Sequence, residues 1–73
     1  MPDVKVAAEV AARVWKIEVT VGSEVAEGDV LMILESMKME IPIEAPRAGT
    51  VAKILVQEDA MVEEDQPVVI LST

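Results

Sequence analysis

Seventy-three residues, 52% of them hydrophobic and 27% charged, suffice for one small domain and are too apolar for intrinsic disorder. The absence of Cys and His removes disulfides, thiol nucleophiles, Cys/His zinc sites and imidazole acid–base chemistry. A formal charge of −8 disfavours nucleic acid and anionic membrane surfaces as partners and favours solubility.

The first residues, Met1-Pro2-Asp3-Val4-Lys5, have no basic segment followed by an apolar one, so they do not read as a secretory signal. No apolar run approaches the roughly 18 residues of a membrane helix. By default the expected location is cytoplasmic. Thirteen Val, six Ile and three Thr favour pleated surfaces over helices, and the class reads all-β. Val6–Val14 is Ala-rich but lacks an apolar stripe of helical period, so it reads as strand. The runs Val14–Val21, Val30–Glu35, Met39–Ala45, Thr50–Val56 and Val68–Ser72 are parted by Gly, Pro, Asp and Ser, giving six to eight strands in all. Trp15, the single aromatic residue, falls on the apolar phase of its strand and is expected in the core or at a barrel edge.

Val14–Leu34 slides onto Val51–Leu71 by 37 positions without a gap, with eight of 21 pairs identical, among them Lys16/Lys53, Ile17/Ile54 and Leu34/Leu71. A half of that size cannot bury its own apolar face, so the two halves, about 1–37 and 38–73, should pack about a pseudo-twofold axis in one 1–73 domain. The architecture expected is a small flattened barrel or sandwich. Gly22 and Gly28 of the first half are matched by Asp59 and Asp65 in the second. Asp tolerates a positive φ less readily than Gly, so the second-half turns should be the less rigid.

Between the halves lies Glu35-Ser36-Met37-Lys38-Met39-Glu40, with 37 residues before Lys38 and 35 after it. Propensity alone would run one strand through Leu31–Ala45; only the repeat symmetry asks for a hairpin tip here. The tip has no Gly, Asn or Asp, so a tight turn carries a local cost. Such a conflict of local and global signals is expected where a residue serves function. Taken alone, Lys38 reads as a solvated charge, with Met37 and Met39 as ordinary strand residues.

The hexapeptide resembles the attachment motif of biotinyl domains, in which the lysine between two methionines receives biotin. Val21-Gly22-Ser23-Glu24-Val25-Ala26-Glu27-Gly28-Asp29-Val30-Leu31 and Ala45-Pro46-Arg47-Ala48-Gly49-Thr50-Val51 resemble the family's flanking segments, so the likeness runs from about Val4 to Leu71. It is similar, more narrowly, to small free-standing bacterial biotin/lipoyl attachment proteins of the biotin carboxyl carrier family. Ala12 stands where many relatives have Gly, and Asp59 and Asp65 replace usual turn glycines. Nothing between Gly22 and Gly28 is long enough for the protruding thumb of some carboxyl carriers. No Ala/Pro-rich linker precedes Val4, and both a free-standing protein and an excised domain with its own Met1 fit.

The resemblance implies a barrel-sandwich hybrid with Lys38 at the central hairpin tip, and a carrier with no catalytic residue and no metal site. It implies that biotin protein ligase biotinylates Lys38, and that the arm then shuttles carboxybiotin between the biotin carboxylase and carboxyltransferase of an acyl-CoA or related carboxylase. Met37 and Met39 would line the base of the arm, their flexible side chains suiting several partners. Glu35 and Glu40 would favour the charged form of Lys38 and suppress untargeted acylation. Trp15 could contact the ligase, a role that ranks below the core reading. Two alternatives stay open: a lipoyl carrier taking lipoate on Lys38, disfavoured because such relatives typically show Asp-Lys-Ala at the tip, and an unmodified structural sandwich module. An enzyme in its own right is weakest, since nothing groups the fourteen acidic residues around a cavity.

Overall fold

The computed structural model describes residues 3–73; Met1 and Pro2, which open the stretch read above as non-secretory, lie outside them. Eight strands follow in order: β1 Asp3–Ala7, β2 Ala12–Ile17, β3 Glu24–Val25, β4 Val30–Ser36, β5 Met39–Glu44, β6 Gly49–Ile54, β7 Met61–Val62 and β8 Pro67–Ser72. They form two antiparallel sheets of four, ordered β1-β8-β6-β3 and β5-β4-β2-β7. Among the described residues no strand pairs from one sheet to the other, so the unit is an unclosed flattened sandwich rather than a closed barrel. Among the described residues there is no helix, and no helix long and apolar enough to cross a membrane.

The repeat is visible bond by bond. Val14 pairs with Leu34 and Lys16 with Ile33 across β2 and β4; Val51 pairs with Leu71 and Lys53 with Ile70 across β6 and β8. The Gly22 N–H donates to the Val51 carbonyl at 2.8 Å, and the Asp59 N–H to the Val14 carbonyl at 2.7 Å. Each of these pairs is related by the 37-residue offset. Between Gly22 and Gly28 the chain makes only the short β3, with no protruding hairpin.

The core consists of apolar residues from both sheets, with Val14, Leu31, Met32, Leu34, Val68, Val69 and Leu71 entirely buried. Leu31 and Met32 are consecutive, as are Val68 and Val69, which strict strand alternation forbids. The register shifts between Val30 and Met32 on β4 and between Val6 and Ala7 on β1, opposite Val69 and Pro67. At such a bulge an extra residue is inserted, and two neighbours turn to the same side.

Three expectations change here. The Val6–Val14 run is broken at 8–11, because the Ala8 N–H donates to the Gln66 carbonyl and the Ala8 carbonyl accepts from the Asp65 N–H, outside any ladder. The strand expected at Val14–Val21 begins earlier and ends at Ile17. Trp15 also leaves the core. The β2 register slips between Val14 and Lys16, so Trp15 is the bulged residue and stands 41% exposed. The open edges of the sandwich are blunted by Lys5 on β1 and Pro42 on β5, which occupy equivalent places in the repeat. A charge and a missing N–H are both poor templates for strand addition.

Candidate functional site

Strands β4 and β5 pair from Val30↔Glu44 to Ser36↔Met39, leaving Met37 and Lys38 as a two-residue loop. Both have positive φ, 51° and 66°, as a type I′ hairpin turn requires. The turn inferred from repeat symmetry against local propensity is therefore present, and it is occupied by two residues with β-carbons where Asn-Gly would sit without strain.

The tip is open. Lys38 is exposed, and among the described residues no hydrogen bond or ion pair to its ammonium group is formed. Met37 is 93% exposed and Met39 62%, so neither packs as an ordinary strand residue. A primary amine with no partner, on a projecting turn between two unbranched apolar side chains, suits covalent attachment of an acyl group. The donor chemistry fits: an amide to a carboxylic acid needs only the amine and room around it.

Glu35 and Glu40 face each other across the stem, but Glu35 is not turned to Lys38. Its Oε1 accepts from Arg13 Nη2 at 2.9 Å, and Arg13 Nη1 donates to Asp59 Oδ1 at 2.6 Å. Glu40 is exposed and forms no ion pair among the described residues. The hydrogen bond to Glu35 chiefly, and then the charges of Glu35 and Asp59, hold the Arg13 pKa above its ordinary value against desolvation. These groups are partly or largely exposed, and exposed pairs contribute little stability. Their effect is geometric: one guanidinium ties the stem of the hairpin to the 57–60 turn.

That turn needs the tie. Besides the hairpin tip, four turns, 20–23, 26–29, 57–60 and 63–66, are closed by a backbone bond from the fourth residue to the first; in three of them the fourth side chain also accepts the N–H of the first: Ser23 Oγ from Thr20, Asp29 Oδ2 from Ala26, and Gln66 Oε1 from Glu63. In the remaining turn that place is Ala60, which has no such group. Instead Glu58 Oε2 accepts the Ile17 N–H at 3.0 Å and Arg13 holds Asp59, which has φ 74°. Sequence reasoning missed Arg13. The available signal was its repeat position, where an arginine replaces Thr50 just as Asp59 replaces Gly22.

An open groove of about 570 Å³ runs between the edge strands β1 and β5, lined by Lys5, Glu9, Glu27, Ile41, Pro42 and Glu44 among others. None of residues 35–40 lines it. Among the described residues no cluster of acidic side chains is grouped to hold a metal ion.

Comparison with known proteins gives a consistent picture. The biotin/lipoyl family, described as "biotin-requiring enzyme", matches residues 1–71. A biotinylated protein TB7.3 homolog from Mycobacterium leprae is 40% identical over 92% of this chain and 94% of its own length. A biotin/lipoyl attachment protein from Bacillus subtilis is 40% identical over 92% of each. The crystal structure of Kluyveromyces lactis urea carboxylase superposes with a TM-score of 0.93 at 33% identity, covering 99% of this chain and 6% of that one.

Proposed function

Because the chain belongs to the biotin/lipoyl family, we propose that Lys38 is the residue that carries biotin, with Met37, Met39, Glu35 and Glu40 as the flanks by which the site is recognised. The protein is a biotin carrier of the kind carboxylases use and is not itself a catalyst. The observation that carries the assignment to Lys38 is the tip itself: a solvent-facing amine on a strained two-residue turn, between two exposed methionines.

Loading requires an activated acyl donor, a biotinyl-adenylate made by a ligase. The Lys38 Nζ lone pair attacks the carbonyl carbon, the new C–N bond forms, the C–O bond to the phosphate breaks, and AMP leaves. The amine attacks as the neutral base, and the proton it gives up passes to a base of the ligase pocket. Bound biotin supplies the one-carbon carrying chemistry. This chain supplies display: Lys38 lengthens the arm, the hairpin lifts it clear of the sandwich, and the Arg13 bridge fixes the stem. Holding the cofactor on such a tether keeps it at high effective concentration for successive active sites. In this reading the partners are a biotin protein ligase and the biotin carboxylase and carboxyltransferase of a carboxylase system. Residues 1–73 act as one carrier unit whose halves meet near Met37-Lys38.

Coexpression with a biotin protein ligase and biotin, and separately with a lipoate ligase and lipoate, tests the assignment by intact mass. One biotinyl group on the parent and none on Lys38→Ala is the expected result. Biotin retained by Lys38→Ala would overturn the site, and lipoate taken up in place of biotin would overturn the cofactor.

A further inference from the structure

The outer face of the sheet that bears the hairpin carries two exposed apolar side chains, Trp15 and Met61, that the carrier role leaves unused. Register places Met61, Arg13, Glu35 and Glu40 in one row across β7, β2, β4 and β5. The next row in from the tip holds Lys16, Ile33 and Pro42, with bulged Trp15 beside Lys16. At about 4.8 Å between strands, the first row spans roughly 14 Å. Trp15 is 41% and Met61 69% exposed, and both flank Arg13 on its own strand or the next. Lys38 follows Glu35 by three residues, so the patch ends roughly 10 Å from the tip.

We propose that this face, centred on Trp15 and Met61, is the docking surface for the enzyme that acylates Lys38. The proposal rests on the carrier reading above. A specific protein interface covers about 800 Å² on each side, out of the 4620 Å² exposed by this chain. A two-residue turn and its neighbours cannot supply that area, so an enzyme that grips the tip must extend onto a surface continuous with it. The hairpin's own sheet offers one holding Trp, Met and Arg, the residue types enriched where binding energy concentrates. The other exposed apolar residues, such as Val21 and Leu55, carry no aromatic anchor.

Charge selects the occupant. Glu35, Glu40, Glu58 and Asp59 border or lie within the patch, in a chain of formal charge −8. A second copy would set like charges against each other, and an anionic lipid surface would be repelled. The complementary partner is a protein with an apolar socket for the indole and the Met61 thioether, rimmed by Lys or Arg.

Trp15 is the single tryptophan, so 5-fluorotryptophan labelling gives one ¹⁹F resonance that reports this face alone. Titration with biotin protein ligase should shift or broaden that line saturably. Met61→Ser and Trp15→Ser should each raise the KM of the carrier in biotinylation roughly tenfold, the effect of losing an interface anchor, with kcat within about twofold. A Val21→Ser, Leu55→Ser control should leave KM unchanged. Normal biotinylation of Lys38 with an unmoved ¹⁹F line and unaltered KM in Met61→Ser would overturn the docking face and leave the carrier assignment standing. Failure of the parent to take biotin would remove both. A dimer abolished by Met61→Ser would assign the face to a second copy and refute the proposal.

Discussion

Replacing Met37-Lys38 by Asn-Gly should make the unmodified protein more stable while removing its acceptor. Both residues have positive φ, 51° and 66°, where a β-carbon costs about 1–2 kcal/mol per residue. Asn tolerates this region and Gly occupies it freely, though Gly returns about 0.5–1 kcal/mol through its greater freedom in the unfolded chain. The net gain expected is about 1 kcal/mol. For a domain of this size 1 kcal/mol moves the midpoint by roughly 4–8 °C, so thermal unfolding followed by circular dichroism should resolve it. Lys38→Ala is the essential control, because it removes the ammonium group but keeps a β-carbon in the left-handed region; its midpoint should stay close to the parent's. An Asn-Gly midpoint no higher than that of Lys38→Ala would refute the claim that the tip is strained.

Three further outcomes follow from the packing. Leu34→Ala, in an entirely buried position, should lose about 3–4 kcal/mol in urea denaturation, a large part of the roughly 4–11 kcal/mol available to a chain of this length. Gly49→Ala should destabilise by at least about 2 kcal/mol, since an added Cβ would meet the Ser72 carbonyl oxygen at 2.8 Å, a backbone atom that cannot swing away; a midpoint unchanged from the parent would show that β8 yields. In native-state amide exchange, the Asp65 N–H should be less protected than that of Gly28, while Asp59, braced by Arg13, should match Gly22 until Arg13→Gln releases it.

The features of the fold that were legible in the sequence were those the repeat encodes. Lys16/Lys53 and Leu34/Leu71 matched in sequence and then matched in register, because identical strands solve the same packing problem twice. The hairpin at Met37-Lys38 was legible for the same reason, although neither residue favours a turn. What stayed hidden was set by single insertions and distant pairs. Trp15 sits on the apolar phase of β2 when counted by twos, but one bulge turns it outward, and a bulge leaves no mark on composition or spacing. The break after Ala7 was hidden too, since Ala8 is buried and bonds only to residues 65 and 66, far along the chain. Arg13 and Asp59 are 46 positions apart, and nothing local announces their meeting.

The repeat also explains why strain gathers at one place. The Ser72↔Asp3 pair is the counterpart of Glu35↔Glu40, yet only the latter is joined by a turn. Among the described residues Met37-Lys38 has no partner turn under the pseudo-twofold axis, and unlike the turns at Gly22, Gly28, Asp59 and Asp65 it meets its positive φ with neither Gly nor Asp. Both residues of that loop carry side chains unsuited to it, in a stem held by six pairs of residues and by the Arg13 bridge at Glu35, one pair from the tip. A stem fixed in this way holds a turn that its own residues would not form. Arg13→Gln should therefore speed amide exchange at the Ser36–Met39 pair of the stem with little change in the thermal midpoint, whereas Met37→Asn should slow it.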